Sequence, residues 1–245
     1  LALNNQGIDN TAVGSSALAT QSNAIDNTAV GKTAGYSITT GPGNTGIGKD
    51  ALFATTTGAN NVAIGREAME SNTIGTNNVA VGLDALKANT TAGQNTGVGC
   101  QALKANIDGE YNSGFGAFAL IKNTTGDYNT GIGYNALREN TTASQGTAVG
   151  YEALKANTTG ANNTAIGSRA LYTLSTTSSN TAVGFHALQN HTGNNCTAVG
   201  KEALKENTAE RCNAFGSIAL DANTTGDDNN AFGVGALGAN TTGQN

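Results

Sequence analysis

The chain of 245 residues contains no tryptophan, one proline, one methionine and three cysteines, and only 12% of it is charged. Each scarcity removes something. Twelve Lys and Arg against 17 Asp and Glu leave a formal net charge of −5, and the positive charges form no run. The basic stripe that a phosphate backbone requires is therefore missing, and nucleic acid is not an expected partner. No apolar run approaches the roughly 20 residues of a membrane span. Three cysteines do not make a disulfide framework. Low charge and few aromatics also accompany disorder, yet disordered chains are rich in proline and net charge. Here the apolar residues recur at fixed spacing, so order is expected. The chain opens on Leu-Ala-Leu-Asn-Asn, with neither a start methionine nor a signal-like stretch, so any targeting signal lies outside it.

What fills the space is glycine, 34 residues of it, with asparagine, threonine and alanine in a repeat. One glycine recurs at 14, 31, 48, 65, 82, 99, 116, 133, 150, 167, 184, 200, 216 and 233, in steps of 17 apart from two steps of 16 between Gly184 and Gly216. Fourteen units fill the chain, with no second domain or linker, so residues 1–245 read as one repeat region. Numbered from the residue four before that glycine, the consensus is N-T-A-V-G-x-x-A-L-x-x-N-T-T-G-x-x. Position 5 is always Gly, position 8 always Ala, and position 9 is Leu in twelve units. Every charged residue falls at positions 6, 7, 10, 11 or 14 to 17. A one-dimensional stack produces such segregation, because each position becomes a ladder in a single environment.

Positions 1 to 4 alternate as a short strand. The large aliphatic residue at position 4 (Val30, Ile64, Val81) is expected to face the core together with position 2, leaving positions 1 and 3 on the opposite face. Gly at position 5 ends the strand where φ must be positive or backbones approach closely. Positions 6 to 12 do not alternate. "ALKAN" and "ALREN" are good helix formers, but stacked strands rise about 4.8 Å per coil and a helix is about 10 Å across. One tight helical turn or an irregular bend is expected instead. Leu103, Leu120, Leu137 and Leu154 should stack as an interior column. "NTTG" at positions 12 to 15 is turn chemistry. It also creates N-x-T sequons at Asn89, Asn123, Asn140, Asn157, Asn223 and Asn240, which the repeated turn explains without glycosylation.

"NNVAIG" at 60–65 and "NNVAVG" at 77–82 resemble the N-S-V-A-I-G phrase of trimeric autotransporter adhesin heads. "NTTGANNTAIG" is similar to repeats of bacterial and phage-type tail-fibre proteins that carry a C-terminal self-cleaving chaperone. The resemblance covers essentially all fourteen units in matches of about six residues. It implies a parallel β-roll with three chains side by side, an extracellular or cell-surface location, and Val62, Ile64, Val79 and Val81 inside each chain. The unit of 17 residues is longer than the usual adhesin-head unit. No anchor or chaperone sequence is present, and the chain is expected to be a segment of a longer fibre.

No residue set points to catalysis, a cofactor or a metal. His186 and His191 lie five apart in one unit without a third ligand type. "GDDNN" at 226–230 lacks the carboxylate period of calcium β-rolls. Gly-x-Gly patterns such as Gly97-Val98-Gly99 are solenoid punctuation, and no nucleophile-elbow, P-loop or paired-acid motif occurs. The expected class is therefore binding or structural.

The expected fold is a mainly-β parallel solenoid of about fourteen coils that associates side by side as a homo-oligomer, a trimer first. The expected function is the repeat region of an extracellular fibre or adhesin, with a host or prey cell surface or a glycan as target. The small, uncharged ladder at position 3 is the expected chain-to-chain interface: Ala12, Ala29, Gly46, Ala63, Ala80, Gly97, Gly114, Gly131, Ala148, Ala165, Ala182, Ala198, Ala214 and Ala231. The alternative is an ice- or surface-binding solenoid that uses the position-2 ladder of Thr11, Thr28, Thr45, Thr96, Thr130, Thr147, Thr164, Thr181 and Thr197. Val62, Val79, Ser113, Asn213 and Asn230 interrupt that ladder, and it has no second Thr two residues on.

Cys196 and Cys212 both replace the position-1 Asn, in consecutive units of the 16-residue stretch. They should be neighbours at about 4.8 Å, a spacing compatible with a disulfide and equally with two small residues tolerated on one ladder. Cys100, at position 6, should be a free thiol.

Overall fold

A computed structural model describes residues 7–244; residues 1–6 and Asn245, the ends of the expected repeat region, lie outside the described part. Each coil contributes one three-residue strand at positions 2 to 4, inside the stretch of positions 1 to 4 that alternation predicts. These are β1 Thr11–Val13, β2 Thr28–Val30, β3 Thr45–Ile47, β4 Val62–Ile64, β5 Val79–Val81, β6 Thr96–Val98 and β7 Ser113–Phe115. They continue with β8 Thr130–Ile132, β9 Thr147–Val149, β10 Thr164–Ile166, β11 Thr181–Val183, β12 Thr197–Val199, β13 Asn213–Phe215 and β14 Asn230–Phe232. Coils take the numbers of their strands. The chain forms two compact units, Leu1–Gly126 with β1 to β7 and Asp127–Asn245 with β8 to β14.

Within each unit the strands pair in chain order, parallel and in register. Thr28 stands against Thr45 and Val30 against Ile47; Thr164 stands against Thr181 in the second unit. The 16-residue coils keep this register, with Val183 on Val199 and Val199 on Phe215. Their missing residue therefore comes out of the turn. The fold is an all-β parallel solenoid, with no helix among the described residues.

The helix-forming segment becomes an irregular turn. In coil 9 it covers residues 151–156, and Glu152 and Leu154 have φ of 53° and 51°. Left-handed residues alternating with ordinary ones cannot continue a helix, and each costs a non-glycine residue about 1 kcal/mol or more. Hydrogen bonds between coils offset that cost: the Leu154 N–H donates to Ala170 O at 2.9 Å and the Glu152 N–H to Tyr134 O at 2.9 Å. Leu103, Leu120, Leu137 and Leu154 are all fully buried, as expected.

The two faces of the strand are reversed from expectation. Position 3 points inward. Ala29, Ala63, Ala80, Ala148, Ala165, Ala182, Ala198, Ala214 and Ala231 are buried, as are Gly46, Gly97, Gly114 and Gly131, while Ala12 is half-buried in the first coil. Side chains enclosed by their own coil present nothing to a sister chain, so the interface drawn on these fourteen residues is corrected. Position 4 points outward: Ile64 is 39% and Ile166 41% exposed. Val62, Val79 and Val81 are likewise only half-buried rather than interior. The cause is width. The position-9 Leu reaches across the coil to the strand, so a methyl placed on Gly46 would already touch Leu52 Cδ1 at 3.4 Å. Only Ala or Gly fits there, and the larger Val, Ile and Phe go outside.

Position 5 admits only glycine. Gly65 has a φ of +141°, and a Cβ on it would lie 2.3 Å from Gly82 O of the next coil. Any side chain would wedge the two coils apart.

Candidate functional site

Two columns of buried asparagine hold the coils in register. At position 1, the Asn61 backbone N–H and Nδ2 both donate to Asn44 Oδ1, at 3.1 and 3.0 Å. Asn61 Nδ2 also donates to Gly75 O at 2.8 Å. Asn78 repeats the pattern on Asn61 Oδ1 and Ala92 O. At position 12, Asn89 Nδ2 donates to Asn72 Oδ1 and to Ala92 O, each at 3.0 Å. Both columns thus converge on the carbonyl at position 15. Buried amides are costly unless partnered, and here the partners are other coils, so the polar core enforces register. Where Leu174 takes position 12, Asn157 Oδ1 is left without a partner.

This arrangement accounts for the sequons. Asn89, Asn123, Asn140, Asn157 and Asn223 are fully buried, and the amides of Asn89 and Asn157 are spent on the position-15 carbonyl. They are interior ladder residues. The ban on charge at positions 1 and 12 was a visible sign of that burial, which reading "NTTG" as turn chemistry alone overlooked.

Several of the charges stand in ion pairs. Lys104 Nζ lies 2.9 Å from Asp84 Oδ2. Lys155 and Arg169 both grip Glu152, at 2.7 and 3.0 Å. Burial works to raise the Glu152 carboxyl, but hydrogen bonds from Lys155 and Arg169 outweigh it and hold the group below the ordinary carboxylate range. Tyr134 stacks on Tyr151 with centroids 5.7 Å apart, and Arg169 lies over Tyr151. A surface groove passes Ser71, Ala88 and Ala105, but its lysines, Lys87 and Lys104, are committed to Glu67 and Asp84.

The two histidines have separate environments. His186 stacks on Phe185. His191 is fully buried and takes the place of Asn at position 12. Its Nε2 stands 3.1 Å from Asn180 Oδ1 and its Nδ1 3.0 Å from Asn207 O, and burial lowers its pKa to about 4. Asp227 and Asp228 of the "GDDNN" stretch face Arg211. Among the described residues no group of three or more His, Cys, Asp or Glu is placed to hold a metal ion. Cys196 and Cys212 are buried neighbours with free thiols, and Cys100 is free and half-buried.

The outward face of the strands is the candidate functional surface. It presents a position-2 column, mostly Thr, and a position-4 column of Val, Ile and Phe. Ile132 is 41% exposed and Phe115 41%, and Phe215 stacks flat on Phe232 with centroids 4.9 Å apart. In neither unit does this face carry a charged residue. No family model and no curated protein matches the chain.

Proposed function

We propose that the chain is the repeat region of an extracellular fibre or adhesin, and that its chains associate through the outward strand face. One observation carries this reading. Charge is excluded from positions 1, 3, 8, 9 and 12, which are buried, and also from positions 2, 4 and 13, which are not. Position 13 has an internal reason, because Thr56 and Thr73 hydroxyls donate to the position-13 carbonyl of the next coil. For positions 2 and 4 the reason is a partner that covers them. A contiguous exposed apolar ladder marks an interaction surface.

Three chains side by side, as the resemblance to adhesin heads implies, would bring three such faces together. The charged corners would then remain outside, available to a cell-surface or glycan target. The second reading, an ice- or surface-binding solenoid, gains one observation: the Thr column does point outward, with Thr28, Thr45, Thr147 and Thr164 half-exposed. Light scattering and a thermal-hysteresis assay on the purified protein separate the two. A defined multimer without hysteresis is expected. A monomer that depresses the freezing point would overturn the fibre reading in favour of the second.

A further inference from the structure

Coils 12 and 13 break the position-1 ladder in the same way. Cys196 and Cys212 are both fully buried and both carry free thiols. The strands that follow them pair in register, Thr197 against Asn213, so the cysteines are one rung apart. The Cys212 N–H donates to Cys196 Sγ at 3.3 Å. Parallel rungs lie about 4.8 Å apart, within the Cα separation of about 4.4–6.8 Å found in disulfides.

These rungs are weaker than their neighbours. An Asn amide serves the position-15 carbonyl with a strong N–H and also accepts from the coil above. Here the Cys196 thiol makes the contact to Ala209 O at 3.4 Å and the Cys212 thiol the contact to Gly226 O at 3.2 Å, and a thiol is a weak donor. The loss falls in the stretch where the coils shorten to 16 residues. In the stacked coils the neighbouring Cys196 thiol pulls the Cys212 pKa down. The same contact, together with burial, pushes the Cys196 thiol up.

We propose that Cys196 and Cys212 form an intramolecular disulfide that replaces the missing amide rung and staples coil 12 to coil 13 as the chain folds. The oxidant is a low-molecular-weight disulfide of the glutathione type. The thiolate of one cysteine attacks one of its sulfurs, and the released small thiolate takes up a proton. The other cysteine then gives its proton to solvent and attacks the protein sulfur of that mixed disulfide, expelling the second small thiolate, which takes up a proton. Two protein thiols lose two electrons and two protons, and one small disulfide becomes two small thiols. Exchange takes place before coil 13 docks, because the stacked coils seal both sulfurs from solvent. The same seal protects the finished bond from reductant. The staple closes a loop of 16 residues, which restricts the unfolded chain. It forms whether or not chains associate.

The test is to refold reduced protein in a buffer of glutathione and its disulfide, alkylate it in denaturant, and map an unreduced digest by mass. The expected result is a Cys196–Cys212 peptide pair as the main product, with Cys100 alkylated. The oxidised protein should also unfold several degrees above the reduced one. The double variant C196N/C212N, which restores the consensus amides, should show no such difference between buffers. Full alkylation of Cys196 and Cys212 after refolding would overturn the proposal, as would a main product that joins either to Cys100 or to another chain. A linked protein that unfolds no later than the reduced one would overturn the stapling role.

Discussion

The Asn61 side chain donates to Asn44 Oδ1 at 3.0 Å, and its own Oδ1 accepts the Asn78 backbone N–H at 3.0 Å. One residue thereby joins three successive coils. Asn61→Ala leaves the buried Asn78 N–H without an acceptor and removes a donor from Gly75 O. A cost of about 2–4 kcal/mol is expected, since each orphaned buried group costs about 1–3 kcal/mol. Asn61→Asp, which buries a charge among acceptors, should cost more. Denaturant titration of the two variants checks both magnitude and order.

Glycine has two separate roles in the strand, and substitution tells them apart. Gly65→Ala brings a Cβ to 2.3 Å from Gly82 O at a φ of +141°, so thermal melting should show a large loss or no folding. Gly46→Ala meets its nearest neighbours only at 3.4 Å, at a position where other coils already carry Ala. It should be neutral within about 1 kcal/mol. Equal effects at the two sites would contradict the room for one methyl that position 3 holds beside the Leu52 side chain.

His191 makes stability depend on pH. Its ordinary pKa of 6.5 falls to about 4 on burial, so between those values the unfolded chain binds the proton that the folded chain refuses. The contribution is complete above pH 6.5 and is lost as pH falls toward 4. A difference of roughly 2.5 units corresponds to about 3 kcal/mol. His191→Asn, the consensus residue, should remove that slope. Asp84 and Glu152, both held below their ordinary values, add a loss at still lower pH. A variant whose melting temperature falls as steeply between pH 6.5 and 4 as that of the parent would show that the ring is not held neutral.

Much of this architecture was legible in the sequence because stacking imposes one environment on each repeat position. The strands at positions 2 to 4, the coil boundaries and the Leu103 and Leu154 columns follow directly from the 17-residue period. The reversal of faces was not legible. Alternation assigns Ile64 and Ala63 to opposite sides but does not say which side is enclosed, and size favoured the wrong answer. What decides it is the reach of the position-9 Leu across a coil one side chain thick, and that distance is set by the irregular turn. The turn was hidden for a related reason: "ALKAN" favours helix locally, and only bonds to the neighbouring coil, such as Leu154 N–H to Ala170 O, make the left-handed Leu acceptable. The asparagine columns left a partial trace, because charge avoids position 12 as strictly as it avoids position 8.

Substitution by arginine on the two faces should give two different failures. Ala148→Arg places a cation inside a coil where Ala148 is fully buried. The chain should lose its circular-dichroism signal or melt far earlier, whatever its assembly state. Ile132→Arg and Ile166→Arg place the charge where each Ile is 41% exposed. Those chains should keep their spectrum and remain folded, losing only the stability that assembly adds.

The self-association face is tested most directly by native mass spectrometry of the wild-type protein beside the Ile132→Arg/Ile166→Arg double variant. The expected result is a whole multiple of the chain mass for the wild type, three chains being favoured, and a folded single chain for the variant. A variant that assembles to the same mass as the wild type, or a wild type that remains a single chain at every concentration, would contradict assignment of the outward Val, Ile and Phe ladder to a chain-to-chain interface.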